Sequence, residues 1–75
     1  MSDNELDVCG LRCPLVVMKV RLRIENIQIG GVLRVTTDDP LAVLDVPHFC
    51  KEAGHKITDQ YNNDAGATIF LIERG

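Results

Sequence analysis

The sequence has no tryptophan and only three aromatic residues, Phe49, Tyr61 and Phe70, too few and too far apart to form the aromatic-basic stacking platform of a single-strand nucleic-acid binder. It also lacks an excess of positive charge. Eight lysines and arginines against eleven aspartates and glutamates give a formal net charge of -3, a field that repels phosphate backbones, and no direct nucleic-acid binding is expected. No apolar run approaches the ~20 residues that span a bilayer. The first residues, Met1-Ser2-Asp3-Asn4-Glu5, are acidic where a secretory signal is basic, which points to a cytoplasmic protein without membrane association. A glycine-rich phosphate loop and a Ser-His-Asp order are missing too. Residues 1–75 have room for a single domain whose one core is of marginal size.

Cysteine is scarce and odd in number: Cys9, Cys13 and Cys50. In a reducing compartment these read as thiols rather than as a disulfide framework. A structural zinc site takes four ligands in tight pairs, a spacing that Cys9 and Cys13 do not complete with His48 or His55, so no metal and no cofactor is expected.

The hydrophobic pattern orders the chain as βαβαββ. Leu6 and Val8 alternate with Glu5 and Asp7, the period-2 signature of a half-buried strand, and Gly10 breaks it. Pro14 suits the first turn of a helix because its φ is already helical and its missing N–H would have had no partner there. Met18 to Ile24 also alternates strictly, so the stretch after Pro14 admits a strand; its length and the Pro14 start favour a helix over Leu15–Asn26. On a wheel of about 100° per residue, Val16, Val17, Val20, Ile24 and Ile27 gather on a core face, and Leu15, Met18 and Leu22 form a second stripe, either a docking ridge or a surface covered by a neighbouring loop.

Gly30-Gly31 marks a turn before a β-branched strand, Val32–Thr37. Asp38-Asp39-Pro40 then starts a second helix, either aspartate serving as its cap, with Ala42, Val43, Val46, Phe49, Cys50 and Ala53 on the core face and Gly54 as its end. Pro47 should kink that helix or split it near Asp45. A hairpin of two strands, His55–Tyr61 and Ala67–Glu73, closes the chain, and the continuous apolar run Thr68–Ile72 suits an interior strand. Right-handed crossovers put both helices on one face of a four-stranded mixed sheet, an α/β two-layer sandwich.

The chemistry centres on Cys13. A thiolate is favoured at a helix N-terminus and near cations, and Cys13 sits beside Pro14 and Arg12, with Lys19, Arg21 and Arg23 close in sequence, so the local field can be positive. Cys50, on a core face, reads as a small buried hydrophobe. Cys9, three residues before Cys13, is either an incidental thiol at a strand end or a resolving thiol able to attack a sulfur-loaded Cys13.

Gly10-Leu11-Arg12-Cys13-Pro14, Asp38-Asp39-Pro40, Asp45-Val46-Pro47 with Phe49-Cys50, and Gly54-His55 follow one another as in the TusA/SirA-like sulfur-carrier family, which the chain resembles over nearly its whole length. The resemblance implies a two-layer α/β sandwich of this same order and a cysteine, matched by Cys13, that accepts sulfane sulfur as a persulfide and passes it on by transpersulfidation. It implies a cysteine desulfurase or rhodanese-like donor and an acceptor protein, in tRNA thiolation, molybdenum-cofactor maturation or sulfur oxidation. Val16 stands where the family's Cys-Pro-x-Pro motif has its second proline, which bears on partner choice. In this reading Pro14 positions the cysteine, while Arg12, Leu15, Met18 and Lys19 meet the partner. Two other functions stay open: a Cys9/Cys13 dithiol redox module, and a non-catalytic regulatory adaptor of the same fold.

Overall fold

A computed structural model describes residues 4–12 and 14–75. Six elements follow in the expected order: β1 (Glu5–Asp7), α1 (Leu15–Ile24), β2 (Val32–Thr37), α2 (Ala42–Ala53), β3 (Lys56–Asn62) and β4 (Thr68–Glu73). The strands form one sheet in the order β1-β2-β4-β3. β1 runs parallel to β2, while β4 lies antiparallel to both β2 and β3. It follows that β2 and β3 are parallel to each other, so each helix is a crossover between parallel strands and both pack on the same side.

The ambiguous stretch after Pro14 is a helix because that conformation buries Val16, Val20 and Ile24, spaced four apart, and leaves Met18 and Leu22 outside; a strand would have placed Met18 and Leu22 on the same face as Val20 and Ile24. Val17 is only half-buried at the margin of that face, and Ile27 joins the core beyond the helix end. Opposite them, β2 contributes Leu33 and Val35, and β4 contributes Phe70 and Ile72, all fully buried. The apolar run of β4 is explained by its interior place, with Thr68 and Ile69 buried as well. β3 pairs along β4 with a register irregularity between Ile57 and Asp59, where the Thr58 hydroxyl donates to the Leu71 carbonyl at 3.2 Å.

α2 departs from expectation in three places. It begins at Ala42 rather than at Pro40, and Asp39 lies two residues ahead of the N-cap Leu41, its Oδ1 accepting the Leu41 N–H at 3.1 Å. It runs unbroken through Pro47. The lost bond and ring clash cost about 3 kcal/mol in a helix interior, but Ala42, Val46 and Cys50 are buried on both sides of Pro47 and hold the turns against the sheet. Ala53, read as a core residue, is exposed in the last turn, where the chain is already leaving the sheet. Gly54 ends the helix as expected, with φ +83 and the His55 N–H donating to the Cys50 carbonyl at 2.8 Å.

Candidate functional site

Because β1 and β2 are parallel neighbours, their C-terminal ends emerge side by side and the loops that follow are forced together. Asp7 pairs with Thr36 in register, so Cys9 and Asp38 each lie two residues beyond the same rung of the ladder. The Val8 N–H extends that ladder by donating to the Thr36 carbonyl at 2.8 Å. Val8 is buried, and the chain then turns outward through Gly10, whose φ of +87 any residue with a Cβ would adopt only under strain.

This turn is held from two sides. Asp7 Oδ1 accepts the Cys9 N–H at 2.9 Å. Asp38 Oδ1 accepts the Gly10 N–H at 2.9 Å and a guanidinium N–H of Arg12 at 3.2 Å. Leu11 packs against the core and donates its N–H to the Val8 carbonyl, and the Arg12 carbonyl accepts the Leu15 N–H at 2.8 Å, which joins the loop to the start of α1. Cys13, the central residue of the sequence reading, lies outside the described residues. Its neighbour Pro14 stands at the N-cap position and makes no side-chain cap bond; the first turn of α1 carries no acidic side chain to offset the helix dipole.

The Gly10 N–H, first, and the Arg12 guanidinium hold the Asp38 carboxyl below the usual carboxylate range. A carboxylate depressed in this way contributes stability that is fully present above the unfolded value of about 3.9 and is lost only as pH falls through the lower folded value. The loop tie is therefore intact at neutral pH. Cys9, by contrast, is exposed, yet partial desolvation followed by the neighbouring carboxylates of Asp7 and Asp38 pushes its thiol up. We expect Cys9 to alkylate more slowly at pH 7 to 8 than a model thiol. Rate against pH, read by peptide mass, checks it: a thiolate forming at or below the model thiol's pH would contradict this picture of the loop.

The four basic residues near Cys13 do not converge. Arg12 is bound to Asp38, Arg21 lies over the Phe49 ring at 5.8 Å between the helices, and Arg23 donates to the Glu5 carbonyl at 3.0 Å. Lys19 is exposed on the outer face of α1. Three of the four are thus engaged by separate partners, Arg12 in the loop by Asp38, Arg21 by Phe49 and Arg23 by Glu5. On that outer face Leu15, Met18 and Leu22 are 48%, 54% and 61% exposed. Cys50 is buried on α2, its thiol pushed up to about 11 by desolvation. His48 is exposed beside Glu52 at 3.4 Å, and no metal-binding cluster occurs among the described residues. Nor is any helix among them long and apolar enough to cross a membrane.

Sequence reasoning gave Asp38 no part in the Cys9–Arg12 loop, taking Asp38-Asp39-Pro40 as a helix start and as one motif of the family resemblance. The signal was available in the parallel β1-β2 register, which brings residue 38 level with residue 9.

Residues 4–74 match the protein family described as Sulfurtransferase TusA. A protein named sulfur carrier protein TusA from Pseudomonas putida (strain GB-1) is 38% identical over 72 residues, covering 96% of this chain and 89% of that protein. Its counterpart in Pseudomonas putida (strain W619) is 36% identical over the same span and coverage. The crystal structure of a SirA-like protein from Desulfitobacterium hafniense superposes with a TM-score of 0.83 at 21% identity, covering 95% of this chain and 96% of that one, and so shares the fold. With a match that runs from the first described residue almost to the last, the chain belongs to the Sulfurtransferase TusA family.

Proposed function

We propose that this protein is a sulfur carrier that accepts sulfane sulfur as a persulfide on Cys13 and relays it to an acceptor protein. The observation that carries the reading is the family match over nearly the whole chain, the sequence Gly10-Leu11-Arg12-Cys13-Pro14 included. In loading, the Cys13 thiolate attacks the outer sulfur of a donor persulfide; the donor's S–S bond breaks, and the donor thiolate departs with the electron pair. Delivery runs the same exchange with an acceptor thiolate as nucleophile and Cys13 as leaving group. Neither step changes the net oxidation state, and neither requires a cofactor. The donor is a persulfide-forming protein such as a cysteine desulfurase or a rhodanese-like enzyme, and the exchange belongs in a reducing, cytoplasmic setting.

The dithiol alternative requires Cys9 thiolate to attack the inner sulfur on Cys13, forming a Cys9–Cys13 disulfide and releasing hydrosulfide. The raised Cys9 thiol, held between two carboxylates, weighs against it. Comparing wild type with Cys9→Ser decides: the carrier reading expects both to load and deliver equally, whereas the dithiol reading expects the wild type to lose its sulfur to a disulfide that Cys9→Ser cannot form.

Docking falls to the outer face of α1, where Leu15 and Met18 are the apolar contacts and Lys19 the rim charge, with Arg12 at the loop. Leu15→Ser with Met18→Ser should raise the dissociation rate from the partner, and Lys19→Glu should slow association and flatten its salt dependence. Arg12→Glu is a poor charge probe, since it would also set a carboxylate against Asp38. Binding kinetics on a donor or acceptor surface check both expectations; unchanged rates in both the double variant and Lys19→Glu would place docking on another face.

A further inference from the structure

Asp38 stands where the β2-α2 loop reaches the segment ahead of Cys13, and its Oδ1 bonds that segment twice, at the Gly10 N–H (2.9 Å) and at Arg12 (3.2 Å). The first bond is to backbone, in a turn where Gly10 has a φ of +87. The second is to a side chain that remains 62% exposed. Both bonds lie at the surface and an exposed ion pair contributes little by itself; the backbone bond is the more direct constraint on the turn because it holds the chain itself, whereas Arg12 is held through a long flexible side chain. Gly10 in turn is only two residues from Arg12, whose carbonyl receives the first helical N–H of α1. The tie therefore runs from the end of β2, through the turn, to the start of α1.

We infer that Asp38 is a positioning residue for sulfur transfer, holding the backbone on the approach to Cys13 through the Gly10 N–H, with its charge on Arg12 secondary. The inference rests on the carrier reading of Cys13. Transfer requires one sulfur to reach another along a narrow line of attack, and a loop free to wander would spend most encounters misaligned. Asp38 touches neither donor nor acceptor sulfur in this assignment; it acts through the loop.

Two variants separate position from charge. Asp38→Asn keeps an oxygen acceptor at the same reach for the Gly10 N–H and loses the charge; Asp38→Glu keeps the charge and carries the oxygens one methylene further out. Position predicts that Asp38→Glu lowers the maximal rate of sulfur delivery about fivefold, the factor one ordinary hydrogen bond is worth without any contribution from charge, with little change in half-saturation by the acceptor, and that Asp38→Asn recovers most of this rate. Amide hydrogen exchange at Gly10 should speed up in Asp38→Glu and stay slow in Asp38→Asn. Asp38→Ala should behave as Asp38→Glu where it folds, which thermal melting establishes; the other two variants carry the test if it does not. Delivery by Asp38→Glu at the wild-type rate, or an Asp38→Asn as impaired as Asp38→Glu, would overturn the inference. A wild type that takes no sulfur from any donor would instead overturn the carrier reading, and Gly10 exchange would still report whether Asp38 holds the turn.

Discussion

Replacing Phe70 by alanine should destabilise the protein by about 3–5 kcal/mol, the usual loss for a fully buried aromatic residue. A chain of 75 residues has a total stability of roughly 4–11 kcal/mol at the ordinary value per residue, so the variant should lose a large fraction of it and unfold at a much lower urea concentration. Phe70 has no accessible surface, lies on the interior strand β4 opposite Val35 of β2 and Gln60 of β3, and belongs to the cluster that joins both helices to the sheet. No neighbour can fill the space, since Leu33, Val35 and Ile72 are themselves fully packed. Tyr61→Ala is the control, because Tyr61 is partly exposed on β3, and it should cost under about 1 kcal/mol. Urea midpoints measure the difference. A Phe70→Ala midpoint close to that of Tyr61→Ala would mean that the core does not lie between β4 and the helices.

The second large effect is at the sulfur site. Cys13→Ser should abolish sulfur delivery, not merely slow it, because an oxygen in that position cannot form a persulfide and neither remaining cysteine can substitute. Cys50 is buried and its thiol is pushed up to about 11, so on the order of one molecule in 10,000 is thiolate at pH 7. Cys9 is accessible, but its thiol is raised as well. The fold should be untouched, with an unchanged melting curve. Delivery by Cys13→Ser above the level without carrier would move the sulfur site elsewhere.

What could be read from the sequence and what could not divide along a physical line. Regular patterns were legible: the β-branched run of Val32–Thr37, the continuous apolar run in β4 and the four-residue spacing of Val16, Val20 and Ile24 each fit an element that meets one core. Gly54 was legible because a left-handed helix end has a residue preference of its own. Pro47 misled because a local rule was applied without the packing that overrides it, and Ala53 because a helical wheel does not say where the helix leaves the sheet. At the loop, Gly10, Arg12 and Pro14 were picked out from sequence, but the partner of Gly10 and Arg12 lies across a parallel strand pair. Asp38 followed by Asp39-Pro40 has a sufficient local explanation as a helix start, and only the register of β1 on β2 shows that its carboxylate faces the neighbouring loop. The separate partners of Arg12, Arg21 and Arg23 have a similar origin: Arg12 lies in the loop before α1, and Arg21 and Arg23, two apart on the helix, do not face each other.

The most direct test of the sulfur-carrier function is the intact mass of the wild-type protein after incubation with a cysteine desulfurase and cysteine, followed by peptide mapping without reductant. The expected result is a gain of one sulfur atom, located in the peptide that contains Cys13, removed by reductant and absent from Cys13→Ser. A wild type that gains no sulfur from a desulfurase or a rhodanese-like donor, or one whose added sulfur maps to Cys9 or Cys50, would contradict it.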